Sequence, residues 1–134
     1  MKAACLDTRI LSQYLNGKDR ARESIEALKA SGFEVYTTTI NITEIFMGIY
    51  KVRTMTEKEL ERLRDFFLSL HPRTVEYDTA RLAGQLHATM LKGMAIGWRD
   101  TFIAAIALQH GKTIVTSKVS HFTRVPGLDV VDYT

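Results

Sequence analysis

The sequence predicts an α/β fold: one domain over residues 1–134, with a central parallel sheet of four to five strands and helices on both faces. Three observations predict it. Short β-branched and apolar runs alternate with stretches of helical periodicity, and the connections between them are too long for hairpins, so successive strands must run parallel. Residues 102–108 are apolar on every side, which suits a helix buried all round. A chain of 134 residues with 46% hydrophobic and 25% charged residues also has the composition of one ordinary globular core, which excludes disordered, collagen-like and low-complexity architectures.

Residues 3–6 are an apolar run that reads as the first strand and ends at Asp7; Ile10, Leu11, Tyr14 and Leu15 then recur at helical spacing until Asn16-Gly17 stops them. Residues 19–31 form a second helix with Ala21, Ile25 and Leu28 on one face and Gly32 at the position of a left-handed cap. Residues 34–40 are β-branched and aromatic, hence a strand, and a helix follows almost at once with apolar positions 42, 45, 46, 49 and 50. Thr56-Glu57-Lys58-Glu59 has capping-box form and opens a helix striped by Leu60, Leu63, Phe67 and Leu70, which His71-Pro72 closes.

Residues 74–77 read as a third strand, with Asp78 capping a helix whose Leu82, Leu86 and Met90 face inward until Lys92-Gly93. The all-apolar helix comes next, closed by His110-Gly111. Residues 113–116 read as a fourth strand and residues 129–133 as a short terminal one.

In an open parallel sheet the ligand crevice lies at the carboxyl ends of the strands. Three acids fall at strand-to-helix junctions: Asp7, Glu44 and Asp100. Thr8, Thr116, Ser117 and Lys118 border the same junctions and are the candidate substrate-binding residues. Each acid taken alone has a structural alternative, because helix N-termini attract carboxylates. Asp7 and Asp100 are each placed to cap the helix that follows, and Asn41 with Glu44 approaches a capping box. As a set they read differently. Glu44 shares its junction with Ile42, Ile45 and Phe46, and Asp100 begins the apolar helix, so three carboxylates gather at one edge of the core and repel unless a cation lies between them. A hard divalent ion, Mg²⁺ or Mn²⁺, meets that need with oxygen ligands.

Leu6-Asp7-Thr8, then Ile42-Thr43-Glu44-Ile45, then Asp100-Thr101-Phe102-Ile103-Ala104-Ala105-Ile106-Ala107, and His110-Gly111-Lys112-Thr113-Ile114-Val115-Thr116 resemble the PIN domain in order, spacing and context. Phe122-Thr123-Arg124-Val125-Pro126-Gly127-Leu128 resembles the usual ending of its VapC-type toxins. The resemblance implies a metal-dependent ribonuclease with Asp7, Glu44 and Asp100 as catalytic and metal-binding carboxylates. It also implies RNA as substrate, products with a 5′ phosphate and 3′ hydroxyl, a small antitoxin partner and a homodimer. Members often carry Asn or Asp where this chain has Lys118, and an acid where it has His121. A protonated lysine cannot ligate a metal, so the fourth carboxylate is missing. Lys118 is left with a substrate phosphate as an alternative role. For His121, both a ligand and a half-buried surface histidine stay open.

Arg9, Lys51, Arg53 and Arg99 are candidates for RNA backbone contact and equally for a solvated surface. Trp98 packs over the start of the buried helix or stacks on a base. Tyr14, Phe46 and Tyr50 read as core or dimer contacts, and the helices over 19–31 and 56–70 are where a dimer or partner face is expected. Cys5, the single cysteine, sits among Ala3, Ala4 and Leu6 as a small buried hydrophobe. With no signal peptide and no membrane span in view, the sequence predicts a soluble, cytoplasmic protein.

Two rival chemistries fail on residues. A haloacid-dehalogenase-like phosphatase needs an aspartate where Arg9 stands, and a receiver domain needs an acidic pair where Leu6 precedes Asp7. The remaining alternative is a PIN-like RNA-binding or protein-binding module that has lost turnover with its fourth acid. The formal net charge of +3 decides nothing alone. Setting the three gathered acids aside, however, leaves a more basic surface around an acidic pocket.

Overall fold

Strands β1 (Lys2–Leu6), β2 (Phe33–Tyr36), β3 (Thr113–Thr116) and β4 (Asp129–Asp132) form one sheet in the order β2-β1-β3-β4, with every neighbouring pair parallel. This computed structural model describes residues 2–134. Period-2 alternation sends Ala4, Leu6, Val35 and Val115 into one hydrophobic cluster and Cys5, Tyr36 and Ile114 into another on the opposite face. Against the first face pack helices α1 (Thr8–Leu15), α2 (Asp19–Ala30), α3 (Thr39–Tyr50) and α4 (Glu57–Ser69). Against the second pack α5 (Tyr77–Gln85), α6 (Trp98–Gln109) and the short α7 (Val119–Phe122). The helix expected to be buried all round is α6: Ile103, Ala104, Ala105, Ile106 and Ala107 are fully buried.

Local signals account for most element ends. Gly17 and Gly32 take the left-handed conformation just past α1 and α2, and Thr56 with Glu59 closes both halves of a capping box at α4. Gly111 is required twice over. Its φ of +91° is left-handed, and a Cβ there would overlap the carbonyl of Ala3 as the chain turns from α6 into β3 beside β1.

Four expectations need correction. Residues 74–77 are not a strand. The chain there makes one bridge, Arg73 with Thr38, through Thr39 N–H to Arg73 O and Arg73 N–H to Thr37 O, both 2.9 Å. Helix α3 starts at Thr39, so the edge offers no longer run to pair with, and Tyr77 already begins α5. For the same reason β2 stops at Tyr36 rather than 40. The N-cap of α5 is Glu76; Asp78 lies in the first turn without capping. Met90 is turned outward, because residues Leu86–Met90 form a π turn closed by Leu91 N–H to Leu86 O at 2.8 Å. The wider turn delays the helical phase, and Leu91 takes the buried position instead.

Cys5 is buried as expected, and burial pushes its thiol well above the ordinary range, so it is an inert packing group. Among the described residues no helix is long and apolar enough to cross a membrane.

Candidate active site

The carboxyl ends of β1 and β3 are neighbours in the sheet, paired as Leu6 with Val115. Asp7 follows the first and Thr116 ends the second, which is why residues 109 positions apart in sequence bond to each other. Asp7 N–H donates to Val115 O at 3.0 Å, fixing the backbone, and Thr116 Oγ1 donates to Asp7 Oδ2 at 2.6 Å. The other carboxylate oxygen, Oδ1, accepts from Asn41 Nδ2 at 3.0 Å. Asp7 is fully buried and makes no side-chain cap to α1, so the capping alternative does not account for it.

Asn41 is the residue that the sequence reading missed. It is buried in the first turn of α3, whose N-cap is Thr38 rather than Asn41, so the reading of Asn41 and Glu44 as a near capping box is replaced. Thr38 Oγ1 accepts from Asn41 N–H at 3.1 Å and donates to Asn41 Oδ1 at 2.6 Å. That bond fixes the amide: with Oδ1 occupied by a donor, Nδ2 must face Asp7 and Thr8. Nδ2 indeed lies 3.0 Å from Thr8 Oγ1, which in turn donates a hydrogen bond to Glu44 Oε1 at 2.7 Å. The network ends on two carboxylates, Asp7 through Asn41 and Glu44 through Thr8. One signal was available: Asn41 precedes Ile45 by one helical turn, so it sits on the buried stripe of α3.

Asp100 approaches from the first turn of α6, whose N-cap is Gly97, and it makes no capping bond. Lys118 Nζ donates to both of its oxygens, at 3.2 and 3.4 Å, and His121 Nδ1 lies 3.0 Å from Oδ2. Arg99 reaches Glu44 Oε2 at 3.6 Å from an exposed position. The sequence-predicted acids are thus brought to one end of the sheet.

The electrostatics match this placement. Burial raises the Asp7 carboxyl above its ordinary range, against the Thr116 hydrogen bond and the positive field of Lys118. Desolvation pulls Lys118 down, but the negative charges of Asp100, Asp7 and Glu44 together outweigh it and hold the ammonium above its usual value. Lys118 thus bonds Asp100 and lies in the field of all three acids, while Arg99 approaches Glu44. The donors are hard oxygens of the kind Mg²⁺ and Mn²⁺ take, so the residues fit such an ion in chemistry. As they stand, no three His, Cys, Asp or Glu side chains among the described residues are grouped closely enough to hold one.

An open cavity of about 940 Å³ lies between α1, α3 and α4, and of the three acids Glu44 is in its wall. Thr8, Arg9, Glu44, Ser117 and Lys118 line its inner end, and Ile49, Val52 and Leu63 its outer part. Arg53 also lines it but is engaged by Glu59 at 2.7 Å; Lys51, the C-cap of α3, does not line it. Trp98 is 59% exposed; it packs over the start of α6 against Phe102, ring centroids 6.0 Å apart, and stacks on His87, ring centroids 4.6 Å apart. Tyr14 stacks on Phe66, while Phe46 pairs with Tyr50 and Phe67.

Comparison with known proteins decides the family. The PIN domain model matches residues 4–128. The chain belongs to the PIN domain family. Within that family it is 30% identical over 105 residues to the ribonuclease VapC1 of Rickettsia felis, covering 73% of this chain and 75% of that protein. It is also 30% identical over 99 residues to the tRNA(fMet)-specific endonuclease VapC of Salmonella typhimurium, covering 72% and 73% of the two chains. Its fold superposes on a chain of DNA-bound VapBC from Salmonella typhimurium with a TM-score of 0.81 at 25% identity, covering 100% of both. In this PIN domain the parallel sheet, the all-apolar helix and the three acids at its end are one arrangement.

Proposed function

We propose that this chain is a metal-dependent endoribonuclease of VapC type that hydrolyses RNA phosphodiester bonds as the toxin of a type II toxin-antitoxin pair. The observation that carries the reading is the gathering of Asp7, Glu44 and Asp100 at the carboxyl end of a parallel sheet, where Lys118 bonds Asp100 and lies in the field of all three. The relatives named ribonuclease and endonuclease VapC support it. Likeness to a chain solved within a VapBC complex supports a small antitoxin partner. A homodimer acting in the cytoplasm completes the proposal.

Asp7, Glu44 and Asp100 would hold Mg²⁺ or Mn²⁺, which supplies charge stabilisation at the phosphoryl oxygens and lowers the pKa of the attacking water. The chain's own groups do the positioning. Thr116 and Asn41 leave Asp7 one orientation, and Thr8 aims Glu44. Ser117, Lys118 and Arg9 on the cavity wall meet the phosphate backbone of RNA.

The test is cleavage of single-stranded and structured RNA in Mg²⁺ or Mn²⁺, with chelator and with Asp7→Asn and Asp100→Asn. Cleavage should stop in chelator and slow by at least about 100-fold in either variant, the scale for loss of one electrostatic group at a reacting centre. Products should carry a 5′ phosphate and 3′ hydroxyl. Cleavage indifferent to both substitutions overturns the reading. RNA and metal binding without cleavage selects the second reading, a binding module without turnover, which the lysine at position 118 favours.

A further inference from the structure

Three carboxylates that repel one another are stable together only if a positive charge is at hand. In this chain it is Lys118. Its ammonium spans both oxygens of Asp100 at 3.2 and 3.4 Å and is also in the field of Asp7 and Glu44. The arm that carries it is anchored: Lys118 N–H donates to Thr116 Oγ1 at 2.9 Å, and the same hydroxyl holds Asp7. The ammonium is therefore delivered to the acids by the network that builds their pocket. Arg99 reaches only Glu44, at 3.6 Å, and His121 touches only one oxygen of Asp100.

An ammonium and a divalent ion make incompatible demands on these carboxylates. The lysine offers donors and no lone pair, so it cannot join a coordination sphere and must leave the oxygens that a metal takes. It can leave at modest cost, because its side chain is 42% exposed and already borders the open cavity beside Arg9 and Ser117.

Resting on the metal-nuclease reading of this site, we infer that Lys118 is a tethered counter-ion for the divalent-ion position, so that a metal enters by displacing its ammonium from Asp100. The displaced ammonium stays on the cavity wall where an RNA phosphate is expected, so metal entry frees a phosphate contact. The same side chain neutralises the pocket before the metal arrives.

The experiment is equilibrium Mn²⁺ binding, by free-ion electron paramagnetic resonance and calorimetry, to the wild-type protein, Lys118→Met and Asp7→Asn/Lys118→Met, with melting curves in chelator. Methionine keeps the stem and removes the charge. Lys118→Met should bind Mn²⁺ about fivefold or more tightly, the size of an ordinary coupling between competing ligands. It should melt below wild type in chelator, recover in Mn²⁺, and lose the gained affinity when Asp7→Asn is added. Equal or weaker Mn²⁺ affinity in Lys118→Met, with binding still dependent on Asp7, overturns displacement and leaves the metal site standing. Mn²⁺ binding that is absent, or indifferent to Asp7→Asn, removes the metal site and this inference with it.

Discussion

Asp7 and Asp100 meet at one end of the sheet, yet they are held in place by opposite means. Asp7 is fully buried, and its oxygens accept from Thr116 and Asn41, two neutral groups that are themselves buried and fixed by further bonds. Asp100 is held by Lys118 and His121, two side chains each 42% exposed that can return to water. The difference separates two tasks. Neutral donors in a dry network define where one carboxylate stands, and nothing replaces a donor that is lost. Half-exposed partners, one of them the Lys118 ammonium, hold the second carboxylate without committing it, leaving its oxygens exchangeable.

The comparison is broken most forcefully at Asn41. Asn41→Leu keeps a side chain of similar size on the buried stripe of α3 but withdraws the donor from Asp7 Oδ1 and from Thr8. The unpaired buried acceptor should cost about 1–3 kcal/mol in urea denaturation. Cleavage should fall about 10- to 100-fold, as for other losses of a group that orients a ligand. Unchanged cleavage would mean that Asp7 keeps its place without the network.

Asn41 also marks the boundary of what the sequence displays. The strand ends at Asp7 and Thr116, the capping box at Thr56 and Glu59 and the apolar run of α6 are local patterns, and each formed where its pattern lay. Asn41 looked like a cap because helix starts favour Asn, and only the distance to Asp7, supplied by β2 lying beside β1, shows its other partner. Residues 74–77 had strand composition, but whether a run pairs depends on the neighbouring edge, and α3 ends that edge at Thr39. The π turn over Leu86–Met90 left no mark in periodicity, since one wide turn only shifts phase. Lys118 was legible as a departure from the family pattern, but its bond to Asp100 was not, because α7 and α6 meet only in the fold.

A subtler test reads the burial of Asp7 through pH. Its native carboxyl is raised above the unfolded value, so the folded state binds this proton more tightly than the unfolded chain does. The stability it contributes is therefore fully present below the ordinary carboxylate range, about 3.9, and is lost as pH rises through the raised native value. In chelator, the difference in unfolding free energy between Asp7→Asn and wild type should shift in favour of the variant across that rise. Parallel profiles for the two proteins would show that the network fully compensates the burial of the charge.

The smallest effect sharpens the comparison from the other side. His121→Ala removes one partner of Asp100 Oδ2, but Lys118 already donates to both oxygens and the vacated position opens to solvent. Redundancy and water together should limit the loss to about 0.5 kcal/mol in urea denaturation at neutral pH, the range of exposed ion pairs. RNA cleavage should stay within about threefold of wild type, less than the tenfold that 1.4 kcal/mol would produce. If His121→Ala instead costs as much as Asn41→Leu, Asp100 is fixed by a network of its own. Its oxygens would then not be exchangeable, and the contrast between the two acids would fail at the half-exposed end, where it predicts the least.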